Sequence, residues 1–574
     1  MTIISIDAGP GSGKSTTLEH AFLFMLTGRY HFLPNQEQVN ICHHVATSFP
    51  GVSAAQVVFL AFNTTTKDAL QSKLPSNCKA YTFGGLGQSL LFRRHHYQAL
   101  DKLRGERLLA QLLGRPLSDL PYQERLQYYN LLRYISSCKE ELLLPSEETF
   151  HFIREKYNLG EPPRDITLAT KLLTLMSTPN GSIEFIDQVW MGLQTITQPL
   201  FEVAFVDEAQ DLSALRLEFA LKVARNCVFC GDPFQSINAF AGADHLAFEK
   251  IRSVSNIALP LKESFRLPPN HIEHANTIRR ARITAFKLEP GPIESFSLSS
   301  LPSKINSFLS NTQKDFSVKW RYNPNIYTKD PNPQPPSEQI QGPCTNCGSP
   351  DHWRPDCPDL NPIQPPPPPA RSSSPPPGTP YDPTTHIWTI TPPQEMRDPE
   401  QHLIIGRTNA EIFQVAIALL KEGIGCRIIR RKEDQDIKTT LTYYLQDKLK
   451  ATSNKTIDGL LSVLNKDKAK AQAMPYRKGA VLYEKSNCLI HLCGIANSIS
   501  DIPDLLEALT SEKHGTVRLC TIHKAKGMEA HFIYILFPPV AHPKAETPQE
   551  IEQEKNLEFV SETRSKFYKA YVKE

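Results

Sequence analysis

The N-terminal part of the chain alternates short apolar runs with stretches of helical periodicity. Ile3–Ile6 leads into a glycine-rich loop and then a helical pattern, and Val57–Phe62 is followed by a second one. Runs of this length bounded by turn residues read as strands buried on both faces. Strands alternating with helices predict a parallel sheet. Residues 93–200 change character: Leu, Arg, Glu and Tyr recur at helical spacing, as in Glu106–Leu113 and Glu124–Tyr134, and predict a helical insertion. Strand signals return at Val203–Val206 and Val228–Phe229. From about residue 323 to 386 the chain is Pro-rich, with a run at Pro365–Pro369, and predicts an extended linker without a packed core. Order resumes with a strand at Leu403–Ile405 and a helix through Ala410–Lys421. Residues 432–512 read as largely helical. Two strands, Val517–Cys520 and Phe532–Phe537, and a terminal helix complete the pattern.

This pattern predicts two α/β cores, each interrupted. The first takes residues 1–92 and 201–257 around the insertion 93–200. The second takes 258–322, 387–431 and 513–574, around the linker 323–386 and a small helical insertion at 432–512. Such a layout suits a machine with a cleft between two lobes.

A chain of 574 residues forms several compact domains. The formal net charge of +3 excludes a global basic field, so any contact with nucleic acid comes from a local groove. The N-terminus shows no basic leader and no small-residue cleavage site, and no run of about 18 apolar residues occurs. Neither a secretion signal nor a membrane span is expected. Of the 12 cysteines, three cluster with a histidine and nine are scattered. That fits a reducing compartment and one metal site. The expected location is intracellular, and nuclear if the host is eukaryotic.

The chemistry starts at Ala8-Gly9-Pro10-Gly11-Ser12-Gly13-Lys14-Ser15, between a strand and a helix, with Thr16 next. Glycines let backbone amides approach phosphate, the helix N-terminus supplies donors, and Lys14 adds a cation. Lys14 is expected at the β- and γ-phosphates of ATP, and Ser15 on Mg²⁺. The second half is Phe205-Val206-Asp207-Glu208-Ala209-Gln210-Asp211, at the end of an apolar strand. Adjacent carboxylates there are costly unless they serve a cation. Asp207 is expected to orient Mg²⁺, and Glu208 to position or deprotonate the attacking water.

Val206–Asp211 followed by Gly231-Asp232-Pro233-Phe234-Gln235-Ser236-Ile237 resembles motifs II and III of the UvrD/Rep-like superfamily 1 helicases. The Ala-x-x-Gly-x-Gly-Lys-Ser loop is that family's variant of the phosphate loop. Further matches keep the family's order: Ala61–Thr64 (Ia), Tyr81–Leu86 (Ib), Glu263–Arg266 (IV), Gly406–Ala410, Thr521–Glu529 (V) and Glu562–Ser565 (VI). The resemblance implies an α/β fold with two RecA-like P-loop parallel-sheet domains. It implies an ATP hydrolase that acts as a DNA helicase on single-stranded DNA with 3′→5′ polarity. RNA or nucleoprotein remodelling with little unwinding is the alternative. It further implies that Gln235 senses the γ-phosphate, that Arg266 and Arg564 reach it from the second lobe, and that Glu529 meets the ribose. Phe62 and Phe240 match aromatics on which bases stack, and His523 of motif V is expected on the strand. The sequence departs from the family in places. Only seven residues precede Ala8, where an adenine-reading Gln motif is usual; Gly84 replaces the usual His of motif Ib; Asn238 stands where Tyr is frequent. The chain ends ten residues after Arg564, so the last strand is expected to be cut short. The small 432–512 insertion argues against strongly processive unwinding.

Cys344, Cys347, His352 and Cys357 have the spacing C-x2-C-x4-H-x4-C. Three thiolates and one imidazole close a tetrahedral Zn²⁺ site, and the metal supplies the folding energy that a core would otherwise give. The spacing resembles retroviral-type zinc knuckles, including Gly348 and Trp353. That resemblance implies binding of single-stranded RNA or DNA, with Trp353 stacking on a base and Arg354 meeting phosphate. A tether of about twenty linker residues would make the knuckle a hand that gathers strand near the motor. Cys227-Val-Phe-Cys230 repeats C-x2-C on a predicted buried strand without a second ligand pair, and reads as core.

Overall fold

The computed structural model describes residues 1–31, 34–95, 99–157, 159–178, 180–237, 246–287, 290–310, 316–318, 381–382, 387–390, 394–429, 437–452, 455–474, 476–511, 516–538 and 548–574. It divides into two units, residues 1–310 with 395–574, and residues 311–394.

The larger unit is built on two six-stranded parallel sheets. The first contains β1 (Ile3–Ala8), β2 (Val57–Ala61), β3 (Lys79–Thr82), β4 (Phe201–Val206), β5 (Ala224–Gly231) and β6 (Ile257–Leu261), in the order β3-β2-β4-β5-β1-β6. Helices cover both faces, which is why its central strands read as unbroken apolar runs. Phe59 of β2 stacks on Phe205 of β4 at 4.9 Å, and Phe22 of the Lys14–Thr27 helix meets Phe59 edge-on at 5.4 Å. One boundary needs correction. Residues from 258 onward were expected in the second core, yet Ile257–Leu261 pairs with Ile4–Ala8 and closes the first sheet. It is an edge strand bearing Pro260, with alternate residues exposed, so it carries no buried-run signal.

Five helices, Arg104–Leu113, Tyr122–Glu141, Glu147–Tyr157, Ile166–Met176 and Phe185–Thr195, lie between β3 and β4 in the chain. Leu109, Tyr134, Ile135, Phe150 and Leu172 give them a core of their own. The Phe83–His95 helix crosses Phe185–Thr195 at Gly87 and Gly192. A Cβ on Gly192 would lie 2.7 Å from the Gly87 Cα, so backbone meets backbone there and only glycine fits. Lys139, Arg104 and Asp187 are buried together. The Asp187 carboxylate accepts from Lys139 Nζ at 2.7 Å and from Arg104 Nη1 at 3.1 Å. Buried charges without such partners are strongly destabilising, so this triad fixes how the inserted helices dock.

The second sheet contains β7 (Ile293–Ser297), β8 (His402–Gly406), β9 (Cys426–Ile428), β10 (Val517–Thr521), β11 (Ala530–Leu536) and β12 (Ser565–Lys573), in the order β7-β12-β11-β8-β10-β9. Helices Ile437–Ala451, Ile457–Gln472, Tyr476–Cys493 and Asp501–Thr510 separate β9 from β10 in the chain. The expected terminal helix, Pro548–Glu562, is present, but it is not the last element. The strand expected after Arg564 is present as well: β12 has nine residues and sits between β7 and β11. Its lysines hid it in the sequence. Lys569 is fully buried because its Nζ donates to Glu562 at 2.6 Å, and Tyr571 donates to the same carboxylate at 2.8 Å.

In the smaller unit, Phe316–Val318, Tyr381–Asp382 and Ile387–Ile390 form a three-stranded antiparallel sheet. Tyr381–Asp382 falls inside the segment expected to be linker, and Ile387–Ile390 inside the span expected in the second core. Backbone pairing supplies order there that composition did not announce. The remainder of the linker and the whole cysteine–histidine cluster lie outside the described residues. Among the described residues no helix is long and apolar enough to cross a membrane.

Candidate nucleotide and strand site

β1 ends at Ala8, and the Lys14–Thr27 helix begins after a loop in which Gly11 and Gly13 take φ of 71° and 78°. At Gly11 a Cβ would lie 2.5 Å from the Arg266 Cβ, so the left-handed turn and the approach of the 264–266 segment both demand glycine. That segment braces the loop. Phe265 N donates to Gly11 O at 3.0 Å, Ser264 Oγ to Pro10 O at 2.8 Å, and Gly9 N to Leu261 O at 2.8 Å. Ser12 Oγ closes the turn on Gly9 O at 2.8 Å. Ala8, Gly9, Pro10 and Ser12 are buried as the wall, while Ser15 is exposed and Thr16 half-buried on the open side.

Asp207 follows β4, two strands from β1 and on the same sheet edge. Ser15 Oγ donates to its carboxylate, and Glu208 N donates to Asp207 Oδ1 at 2.8 Å. Glu208 has φ 53°, a left-handed conformation that costs energy in a non-glycine residue and concentrates at functional positions. Its carboxylate accepts from Gln210 Nε2 at 2.5 Å. Burial and the charge of Glu208 push Asp207 up to about 6. Burial would also raise Glu208, but Lys14 and Lys526 outweigh it and hold that carboxyl below its usual range. Withdrawal from water pulls Lys14 down, and Glu208, Asp232 and Asp207 more than offset it. The charges of three carboxylates thus act on one lysine. This excess of negative charge, with the oxygen donors Ser15 and Asp207 at its mouth, fits a hard divalent cation.

A pH dependence follows. Protons compete for Asp207, so Mg²⁺ affinity is expected to fall as pH drops through about 6. The sign for stability is opposite. A carboxylate whose pKa rises on folding opposes folding when ionised, so without cation this group's penalty shrinks as pH falls from 6 towards 3.8. Mg²⁺ titrations between about pH 5 and 8 check this. Constant affinity, or an unchanged pH dependence in Asp207→Asn, contradicts it.

Cations reach the same edge from Arg266, which follows β6 of the first sheet, and from Arg564, which precedes β12 of the second. Arg266 Nε donates to Glu529 Oε2 at 2.7 Å, and its Nη1 to Thr563 O at 3.2 Å; Glu529 also pairs with Lys566. Arg564 is buried, with Nε donating to Val560 O and Nη2 to Thr563 Oγ1, both at 2.9 Å. Burial and the nearby Arg266 lower it to about 9, against the opposing pull of Asp232, Glu208 and Glu529. Gln235 donates from Nε2 to Asp232 Oδ2 at 2.8 Å. Sequence reasoning gave no role to Lys526 or Asp232. Lys526 Nζ donates to Asp211 Oδ2 at 2.5 Å and to Gln235 O at 2.6 Å, joining the segment after β10 to the segments after β4 and β5. The signal available was a lysine inside Thr521–Glu529, opposite carboxylates on another sheet.

Phe62 emerges directly after β2 and is 38% exposed. His523 lies half-buried on the short Ile522–Ala525 helix. Phe240, Trp353, Cys344, Cys347, His352 and Cys357 lie outside the described residues. Cys227 and Cys230 are fully buried on β5, and burial pushes the Cys227 thiol up to about 12, as befits core.

A parallel sheet with a glycine loop ahead of a helix, and carboxylates at its C-terminal edge, matches the fold of a RecA-like helicase domain. The family model of the UvrD/REP helicase N-terminal domain matches residues 2–255, and that of the zinc knuckle matches residues 342–359. The chain therefore carries the N-terminal domain of the UvrD/REP helicase family together with a CCHC zinc knuckle. The comparison with curated proteins returned no match.

Proposed function

We propose that the chain is an ATP-dependent DNA helicase or translocase whose hydrolysis is stimulated by single-stranded DNA and which moves 3′→5′. The observation that supports it best is convergence. Ser15 of the phosphate-type loop bonds Asp207, Lys526 from the second sheet bonds Asp211 and Gln235 O on the first, and the charges of Lys14, Lys526 and Arg564 all act on Glu208. Bound ATP and Mg²⁺ supply the phosphoanhydride and the Lewis acid. Lys14 and the loop amides hold phosphate, and Ser15 and Asp207 hold the cation. Lys14 and Lys526 keep Glu208 ionised at neutral pH, so it can accept a hydrogen bond from water and align it. Little basicity is required, because phosphoryl transfer is driven mainly by positioning and charge stabilisation.

Steady-state ATPase with and without single-stranded DNA or RNA is the test. Strong stimulation by DNA is expected, with Glu208→Gln lowering it by about 10²–10⁴. Stimulation by RNA alone would move the function to RNA remodelling, and absence of hydrolysis with either strand would refute the proposal. The donor set of Cys344, Cys347, His352 and Cys357 suits tetrahedral Zn²⁺. Cys344→Ser is expected to weaken strand affinity while ATPase at saturating strand stays normal; equal affinity would dismiss the tethered-hand role.

A further inference from the structure

Phe62 is an apolar ring left at the working edge of the first sheet. It follows β2 directly, and Asp207 N donates to Leu60 O at 3.3 Å, so the chain at residue 62 leaves the sheet next to the segment that carries Asp207 and Glu208. The guanidinium of Arg216, on the Ala214–Val223 helix, lies over that ring, 5.9 Å from its centroid. Arg216 is itself held from two sides. Its Nη1 donates to Glu140 at 3.1 and 3.2 Å, and to Ser213 Oγ, the cap of its own helix, at 3.2 Å. Glu140 belongs to the inserted Tyr122–Glu141 helix and is 76 residues away in sequence.

These contacts constrain what the ring does. A cation over one face of a phenyl ring is attracted by its quadrupole and limits its rotation. The guanidinium is neutralised by Glu140, so its effect on a ligand passes through the ring rather than through a direct charge. Phe62 is 38% exposed, so part of it stays open to solvent. A flat, apolar surface of this kind, at a sheet edge, suits an unpaired base.

We propose that Arg216, held by Glu140, is a positioning residue that presents Phe62 as a stacking surface for an unpaired nucleic-acid base. The inserted helix is thereby linked to the strand-binding edge. This deepens the strand-tracking reading and rests on it. Lysine does not reproduce Arg216, because a compact ammonium has no planar, weakly hydrated group to lie over the ring while one of its nitrogens bonds Glu140 and Ser213.

The test is a double-mutant cycle on the full chain, read as affinity for a fluorescently labelled oligothymidylate, with thermal melts to confirm folding. Phe62→Ala is expected to weaken binding about tenfold, and Arg216→Lys about three- to fivefold. In the Phe62→Ala background Arg216→Lys adds nothing, and Phe62→Trp, which keeps a ring, restores the sensitivity. An equal cost of Arg216→Lys with and without the ring overturns the proposal, as does no cost at all. A wild-type chain that binds no strand sinks the strand-tracking reading and this inference together. Tight wild-type binding with a silent Arg216→Lys sinks this inference alone.

Discussion

Arg564→Ala is expected to lower kcat for ATP hydrolysis by about three orders of magnitude, the scale of a cation that stabilises charge developing on the transferred phosphate. Arg564 is buried next to the site, and the charges of Glu208 and Asp232 are both felt there. A depressed pKa of about 9 still leaves it cationic at neutral pH. Its bonds to Val560 O, Thr563 Oγ1 and Met528 O show what must be exchanged before it reaches a phosphate. The bland alternative is that Arg564 only ties the end of the Pro548–Glu562 helix. Arg564→Lys separates the two. It retains charge but not the forked donor set, so kcat falls steeply in the catalytic case. A lysine variant with near-normal kcat and a lowered Tm would assign Arg564 to stability instead.

How much was legible in advance depends on whether the physics is local. The Ala8–Ser15 loop and the Asp207–Glu208 pair are contiguous, flanked by apolar strands, and needed no tertiary information. Cys227 and Cys230 were read as core because neighbouring apolar residues decide their burial. β6 and β12 were not legible for opposite reasons. β6 is an edge strand with alternate residues in water, whereas β12 is inside the sheet but carries Lys569, whose burial depends on Glu562, seven residues earlier. Lys526 and Arg216 were missed because their roles depend on partners 315 and 76 residues away. No periodicity or spacing encodes such a meeting; it exists only once the chain has folded. The Pro-rich composition likewise could not announce that Tyr381–Asp382 would find Ile387–Ile390.

Lys526→Ala is the second large effect, and it concerns coupling rather than the chemical step alone. The side chain is 9% exposed and pairs with Asp211, 3% exposed, while bonding Gln235 O. Removing one member of a buried ion pair costs about 3–5 kcal/mol, because a desolvated charge loses its compensation. Part of that cost falls on the arrangement that joins the segment after β10 to those after β4 and β5, so strand-stimulated kcat/KM is expected to drop by about 10²-fold. A second consequence has a distinct signature. Lys526 helps hold Glu208 below its ordinary range. Without it the Glu208 pKa rises, so the acid limb of the pH–rate profile moves to higher pH and activity is lost sooner on acidification. Lys526→Arg, which keeps the charge, should leave that limb in place. Asp211→Asn combined with Lys526→Ala should recover part of the stability but not the acid limb, because Glu208 still lacks its cation. If Lys526→Ala keeps both wild-type kcat/KM and the wild-type acid limb, the bridge between the two sheets carries no coupling.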